Sequence, residues 1–197
     1  LEIKIRPEQV SEQREVEELT REAFWNVYMP GCDEHYLLHI LRTSECFLPE
    51  LNMVAEVEGK IVGHIAYTKA KIVLNDGGER VVIGFGPLSV LPEYQRQGVG
   101  SALIRHTLEL AKDAGYAAVL IYGNPAYYHR FGFVPAQNFG IASAEGSYVD
   151  ALQALELREG ALAGCSGRLI IAEEFELDPK AAELFDQSFP PKERRTD

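Results

Sequence analysis

An α/β fold, with a mixed and mostly antiparallel central sheet flanked by helices, is what this sequence predicts, and three observations carry the prediction. Residues 53–57, 61–74 and 81–90 are successive apolar runs separated by Glu58-Gly59-Lys60 and Asn75-Asp76-Gly77-Gly78, the pattern of a meander of strands. Helical periodicity follows from Val99 to Ala114, and a second apolar run, 118–122, comes directly after it, as in a strand–helix–strand crossover. Ahead of the meander, one short strand-like stretch precedes two helical ones. The predicted order is βααβββαβαβ.

Each element has its own local reason. Ile3 and Ile5 mark the first strand. Ser11 is placed to cap a helix whose apolar residues Val16, Leu19, Ala23, Phe24 and Val27 form one stripe, with Glu12 and Glu15 near its positive end. Past Met29-Pro30-Gly31, residues 34–43 form a shorter helix that buries Leu37, Leu38 and Leu41. Pro92 ends the strand 81–90, because proline cannot donate to a sheet ladder. Val99, Ala102, Leu103, Thr107, Leu110 and Ala114 make the next helical stripe, with His106 at its core edge, until Gly115 stops it. In the last third, 151–157 and 168–174 read as strands, 179–186 as a helix, and 190–197 as a mobile tail. Residues 1–141 are thus the expected core, and 142–197 a C-terminal extension packed on the same domain.

Composition narrows the function classes. With 197 residues and 46% apolar content the chain can bury one sizeable core. No run approaches the ~18 apolar residues of a membrane span, and the N-terminus reads as strand and charged helix rather than signal peptide, so the expectation is a cytoplasmic protein without a membrane partner. Cys32, Cys46 and Cys165 are odd in number and lack Cys-x-x-Cys spacing, which implies reduced structural thiols. A net charge of −11 argues against nucleic acid and suits a cationic partner, although an acidic surface also serves solubility.

The chemistry concentrates at Gln95-Arg96-Gln97-Gly98-Val99-Gly100-Ser101. Glycines at 98 and 100 remove side chains where a backbone must approach a ligand, and the helix that starts there aims unpaired N–H groups at the same spot. This reads as a pyrophosphate cradle, with Arg96, Arg105 or Arg130 to offset the acidic mean field; the alternative is a tight strand-to-helix turn and nothing more. A Rossmann fingerprint fails because the third glycine of Gly-x-Gly-x-x-Gly is absent, position 103 being Leu103. A P-loop fails because the only Gly-Lys pair, Gly59-Lys60, is followed by Ile61. His35-x-x-x-His39, with Asp33 nearby, sets two imidazoles one helical turn apart but lacks the Glu of His-Glu-x-x-His and a third ligand, so no metal is expected.

Gln95-x-x-Gly98-x-Gly100 resembles the Arg/Gln-x-x-Gly-x-Gly/Ala signature of the GNAT superfamily of N-acetyltransferases. Farther on, Val119-Leu120-Ile121-Tyr122-Gly123-Asn124-Pro125-Ala126-Tyr127-Tyr128-His129-Arg130-Phe131-Gly132-Phe133 resembles that superfamily's fifth strand, Asn-bearing turn and aromatic-Tyr-x-x-aromatic-Gly-Phe helix, especially in a poorly characterised bacterial branch. The resemblance is firm over 81–135, looser over 2–80, and carries no diagnostic match past about residue 142.

The resemblance implies a GNAT-like fold and an acetyl-CoA-dependent N-acetyltransferase, with a small-molecule or protein amine as acceptor and a homodimer compatible with the reading. By the same resemblance, Gln95, Arg96, Gln97, Gly98, Val99, Gly100 and Ser101 hold the pyrophosphate. The backbone at Leu88, Ser89 and Val90 polarises the thioester, and Asn124, Tyr127 and Phe131 line the cofactor. Tyr128 matches the position of the general acid, and a phenol with a pKa of about 10 stays protonated at neutral pH; Tyr127 is the runner-up. The general base stays open among His64, Asp33, Glu34 and His35, since the cradle strand has Gly84, Phe85 and Gly86 where some members carry Glu. A non-catalytic acyl-CoA-binding or regulatory module is the alternative of a different class.

Overall fold

The computed structural model describes residues 1–196. Along the chain run β1 (Lys4–Pro7), α1 (Gln13–Phe24), α2 (Glu34–Leu41), β2 (Met53–Val57), β3 (Lys60–Leu74), β4 (Glu79–Val90), α3 (Val99–Asp113), β5 (Ala118–Tyr122), α4 (Pro125–Tyr128), β6 (Val134–Pro135), β7 (Ile141–Ala142), β8 (Leu152–Glu156), β9 (Gly167–Ile170) and α5 (Pro179–Asp186). Through β6 this is the predicted order. The strands run β1-β2-β3-β4-β5-β8-β6, with β9 on β3 and β7 on β9. Pairing is parallel at β4–β5 and β7–β9 and antiparallel at β1–β2, β2–β3, β3–β9, β5–β8 and β6–β8. The mixed, mostly antiparallel sheet is therefore present. Among the described residues no helix is long and apolar enough to cross a membrane.

The chain divides into two compact units, one of Leu1–Ala66, Pro87–Thr107 and the residues from Glu173 on, the other of Tyr67–Gly86 and Leu108–Ala172. In the first unit, Val16 and Leu19 of α1, Leu38 of α2, and Val54, Ile61 and Ala66 of the strands form one buried cluster, with Phe47 and Leu91 packed on it. Ser11 does not cap α1. It lies in a 3-10 turn ahead of α1, which has no side-chain cap among the described residues; the Glu12 carboxylate closes that turn, accepting from the Gln9 backbone N–H at 2.8 Å and pairing with Arg6 at 2.7 Å. Val27 falls off the predicted stripe and is exposed, because the helix stops at Phe24 and Asn26 turns to φ 60°.

The C-terminal segment also differs from expectation. Asp186 of α5 accepts from Arg21 Nε at 2.7 Å and contacts His35 Nε2 at 2.8 Å, which fastens α5 to α1 and α2. Beyond it the tail is held: Trp25 Nε1 donates to the Glu193 carbonyl at 2.7 Å, Lys192 pairs with Glu22, Arg194 with Glu183, and the Arg195 N–H donates to Asn26 Oδ1 at 3.0 Å. Its charged, proline-rich composition reads as mobile only because the partners on α1 lie some 170 residues away in sequence, as for Lys192 and Glu22. Asp197, the last residue of that predicted tail, lies outside the described residues.

In the second unit, β5 and β8 pair over five residues, from Ala118↔Glu156 to Tyr122↔Leu152, and the end of β3 pairs β9 from Lys71↔Ile170 to Leu74↔Gly167. Ile72, Val82, Leu120, Leu152, Leu162 and Leu169 lead its buried core. The strand predicted at 168–174 is shorter, since Glu173–Phe175 turn as a 3-10 helix. Helix α3, whose residues through Thr107 belong to the first unit, buries Val99, Leu103, Ile104, Thr107, Leu108 and Ala111, a stripe rotated from the predicted one. Ala114 and His106 are exposed, so His106 is a solvated residue and not a core-edge one.

Candidate active site

The predicted ligand residues gather into two local clusters, one within each unit. The first is the cradle. After β4 a 3-10 turn at Pro92–Tyr94 leads into Gln95, and the backbone then enters left-handed conformations at Arg96 (φ 59°) and Gly98 (φ 89°). Glycine meets that requirement at 98 without a Cβ penalty, whereas Arg96 carries a cost of about 1–2 kcal/mol. Backbone strain of this kind, next to a helix start, concentrates N–H groups into an anion-binding concavity.

Gly98 is the residue that closes the first turn of α3, its carbonyl accepting from the Ala102 N–H at 2.9 Å. The N–H groups of Val99, Gly100 and Ser101 therefore lie in the first turn, where no intrahelical acceptor exists, at the positive end of a 15-residue helix. Gln95, Arg96, Gln97 and Gly98 are exposed, while Val99 is buried and anchors the helix. Gln95 Nε2 donates to the Val90 carbonyl at 3.0 Å and Gln97 Nε2 to the Glu93 carbonyl at 2.7 Å, so both side chains brace the loop. Leu88 and Val90 are half-buried on β4, and Ser89 is buried with its Oγ 3.2 Å from Thr20 Oγ1 of α1. A contact of Ser89 with a ligand is thereby limited to its main chain.

The second cluster follows β5. Asn124 caps α4, its Oδ1 accepting from the Ala126 N–H at 3.0 Å and its carbonyl from the N–H groups of Tyr127 and Tyr128. Pro125 pre-sets the first helical φ. The amide Nδ2 is the part of Asn124 that this cap does not use. The Tyr128 ring sits among Tyr127 at 5.0 Å, Phe85 and Phe133 at 5.9 Å each, and Phe131 at 6.4 Å between centroids. Tyr127 and Tyr128 stand nearly perpendicular, at 86°, and Tyr127 instead packs on Phe131 and carries the Arg130 guanidinium 4.6 Å from its ring centre. Arg130 is thus engaged within its own turn, its Nε donating to the Tyr127 carbonyl at 2.9 Å.

Of the candidate bases, two turn out to be structural. His64 is completely buried and its Nε2 meets Asn52 Oδ1; burial, with the Arg42 charge behind it, pushes its pKa down to about 3. It has no surface to offer an acceptor. His35 is also buried, with Nε2 on Asp186 and Nδ1 3.5 Å from Cys32 Sγ, and burial lowers its pKa too. Asp33 and Glu34 keep partial exposure, and burial raises both carboxyls above the usual carboxylate range. Cys32 is a poor nucleophile, its thiol pushed up to about 12 chiefly by burial.

His64 predicts a pH effect on stability. Its folded pKa lies below the unfolded one, so the unfolded chain binds the proton first as pH falls, and stability present above about pH 6.5 is lost toward the folded value of about 3. The expected slope from this residue is about 1.4 kcal/mol per pH unit. Urea melts from pH 7 to 5 should show a limb that is flatter by about that amount in His64→Gln, and an unchanged limb would disprove the assignment.

Sequence periodicity missed the polar layer under α1 and α2. Arg42 pairs with Glu8 and, at 2.8 Å, with Glu17, and Asn52 Nδ2 donates to Glu8 Oε2 at 2.6 Å, all with little exposure. Charged residues interleaved with an apolar stripe look solvated; the readable hint is that Glu17 and Arg21 lie four apart beside Val16 and Leu19.

A strand that opens onto a helix-borne anion cradle, with a tyrosine-bearing turn after the following strand, is the arrangement implied for an acetyltransferase. Comparisons with known proteins agree. The family model for the acetyltransferase (GNAT) domain matches residues 44–135. The chain is 31% identical over 142 residues to the uncharacterized N-acetyltransferase YhbS of Escherichia coli (strain K12), covering 72% of this chain and 83% of that protein. The crystal structure of YhbS from Escherichia coli in complex with CoA gives a TM-score of 0.78 at 28% identity, covering 90% of this chain and 93% of that one. A GNAT family acetyltransferase from Brucella melitensis in complex with acetyl-CoA gives 0.71 at 29% identity, covering 88% and 98%. The chain belongs to the GNAT family of N-acetyltransferases.

Proposed function

We propose that this chain moves the acetyl group of acetyl-CoA to an amine by direct attack of the amine on the thioester. The observation that carries the reading is the cradle itself: two left-handed residues, Arg96 and Gly98, exposed at the start of a 15-residue helix. A Cβ built at Gly98 would meet nothing within 4 Å, so the space beside the cradle backbone is open to a ligand. The backbone from Gln95 to Ser101 binds the pyrophosphate, and the main chain at Leu88, Ser89 and Val90 orients the acyl arm. The amide of Asn124 and the rings of Tyr127 and Phe131 line that arm. Acetyl-CoA supplies an acyl carbon activated as a thioester.

Tyr128 is the proton donor. As the N–C bond forms and the C–S bond breaks, the phenol proton goes to the departing sulfur, and the proton shed by the amine goes to a carboxylate or to water. The acceptor of that proton stays open between Asp33 and Glu34, the two candidate carboxylates that keep partial exposure. The test is thiol release from acetyl-CoA with spermidine, L-lysine, D-glucosamine and a short peptide as amines. Release above the hydrolysis background with at least one of them supports the proposal. Tight acetyl-CoA binding with no release across a wide amine set would favour a non-catalytic binding module.

The net charge of −11 favours a cationic acceptor. The expected result is that spermidine or lysine turns over best at low salt, with KM for the amine rising several-fold as ionic strength passes 0.1 M, where screening acts over ~10 Å. An anionic or neutral acceptor that is preferred at low salt would refute this part.

A further inference from the structure

We propose that Gly123 is a positioning residue for the Tyr128 phenol; this rests on the proton-donor reading of Tyr128. Gly123 joins the end of β5 to α4, its N–H donating to the Ala151 carbonyl at 2.8 Å. A Cβ built on it would lie 2.2 Å from Cε2, 2.7 Å from Cδ2 and 3.2 Å from Cζ of Tyr128. The ring therefore lies against the bare α-carbon, and the nearest atoms belong to the edge that leads to the hydroxyl. Gly123 is not among the glycines with left-handed φ, so the backbone makes no demand for glycine here. Its missing side chain serves the ring.

The ring is held by aromatic neighbours. Phe85 and Phe133 stand at 5.9 Å between centroids and Tyr127 at 5.0 Å, so a methyl group at 123 drives the phenol toward neighbours that are already packed. A displacement of about 1 Å at a reacting group typically costs up to about 10²-fold in rate. Gly123 thus fixes the direction of the proton donor through contact with its ring, taking no part in the chemistry itself.

The experiment is a double-mutant cycle on the full chain, with acetyl-CoA and the most active amine of the panel named above. Gly123→Ala should lower kcat by about 10–10²-fold with KM for acetyl-CoA within about twofold, and should add no further loss in kcat in a Tyr128→Phe background. The steric cause is read separately by thermal melts: Gly123→Ala should lower Tm with tyrosine at 128 and not in a Tyr128→Ala background, where the ring is gone. If the single variant fails to fold, recovery of the fold in the Gly123→Ala, Tyr128→Ala pair supports the same contact. Parent-like kcat in Gly123→Ala, an equal loss in the Tyr128→Phe background, or a Tm loss that persists without the ring each overturns the inference. Parent-like turnover of Tyr128→Phe alone is a different failure: it removes the proton-donor reading, and the positioning role with it, whatever Gly123→Ala does.

Discussion

Gly98→Glu should abolish measurable acetyl-CoA binding while the protein remains folded. The position is exposed and a Cβ there meets nothing within 4 Å, so the new side chain has room and the core is untouched. Two effects add at the site. The left-handed φ of 89° costs a residue with a Cβ about 1–2 kcal/mol, which loosens the first turn of α3. A carboxylate beside a bound pyrophosphate adds repulsion of about 1–4 kcal/mol per charge pair at 4 Å, depending on how much water intervenes. Together these amount to about 10²–10⁴-fold in affinity. Gly98→Asn separates the two, because Asn tolerates the left-handed region and carries no charge, and it should lose far less. Titration calorimetry with acetyl-CoA reads both variants. Near-parent affinity in folded Gly98→Glu would remove the cradle from the proposal.

The strand-to-helix turn at residues 95–101 was legible in the sequence because its signal is local. Two glycines two residues apart, a proline that ends the strand before them and a 3.6-residue period after them all lie within 24 residues, from Pro92 to Gly115. The meander was legible for the same reason. Elements whose identity depends on distant partners were not. The tail from residue 190 is held by Glu22, Trp25, Asn26 and Glu183, and nothing in its own composition announces those contacts. Ser11 reads as a cap from its own neighbours, but it is absorbed into a 3-10 turn closed by Glu12, which Arg6 holds. The stripe of α3 was drawn one step off, because a period alone does not say which of Leu103, Ile104 and Leu110 faces inward.

Site chemistry divides along the same line. Asn124, Pro125 and Tyr128 lie within one turn, so their pattern carried the Asn-bearing turn and its tyrosine, while the cap made by Asn124 and the ring contacts with Phe85 and Phe133 went unread. His64 was a candidate base only as long as its burial was unknown. A histidine on a strand can face solvent or core, and the polar layer of Glu8, Arg42 and Asn52 that receives it is assembled from three separate segments. Gly123 had a local signal that passed unread: a glycine between a β-strand and the Asn cap of a tyrosine-bearing turn, five residues from the ring it accommodates.

Tyr128→Phe should leave acetyl-CoA binding intact and cut turnover. Phenylalanine keeps the ring and its packing on Phe85, Phe131 and Phe133, so neither the short helix α4 nor the second unit's core has reason to move. The hydroxyl is lost, and its proton with it. General acid catalysis contributes roughly 10²–10⁴-fold, and kcat should fall by about that range if chemistry limits the rate, less if product release does. Single-turnover thiol release removes that ambiguity, because it reads the chemical step before products leave. Tyr127→Phe is the matched control. Its ring stands at 86° to that of Tyr128 and carries Arg130, so losing its hydroxyl should change the single-turnover rate by less than about threefold. The pH profile adds a second reading, since a donor that must stay protonated gives a basic limb that Tyr128→Phe should abolish. Equal single-turnover rates for Tyr128→Phe and the parent would end the general-acid assignment, even with the cradle confirmed by the Gly98 variants.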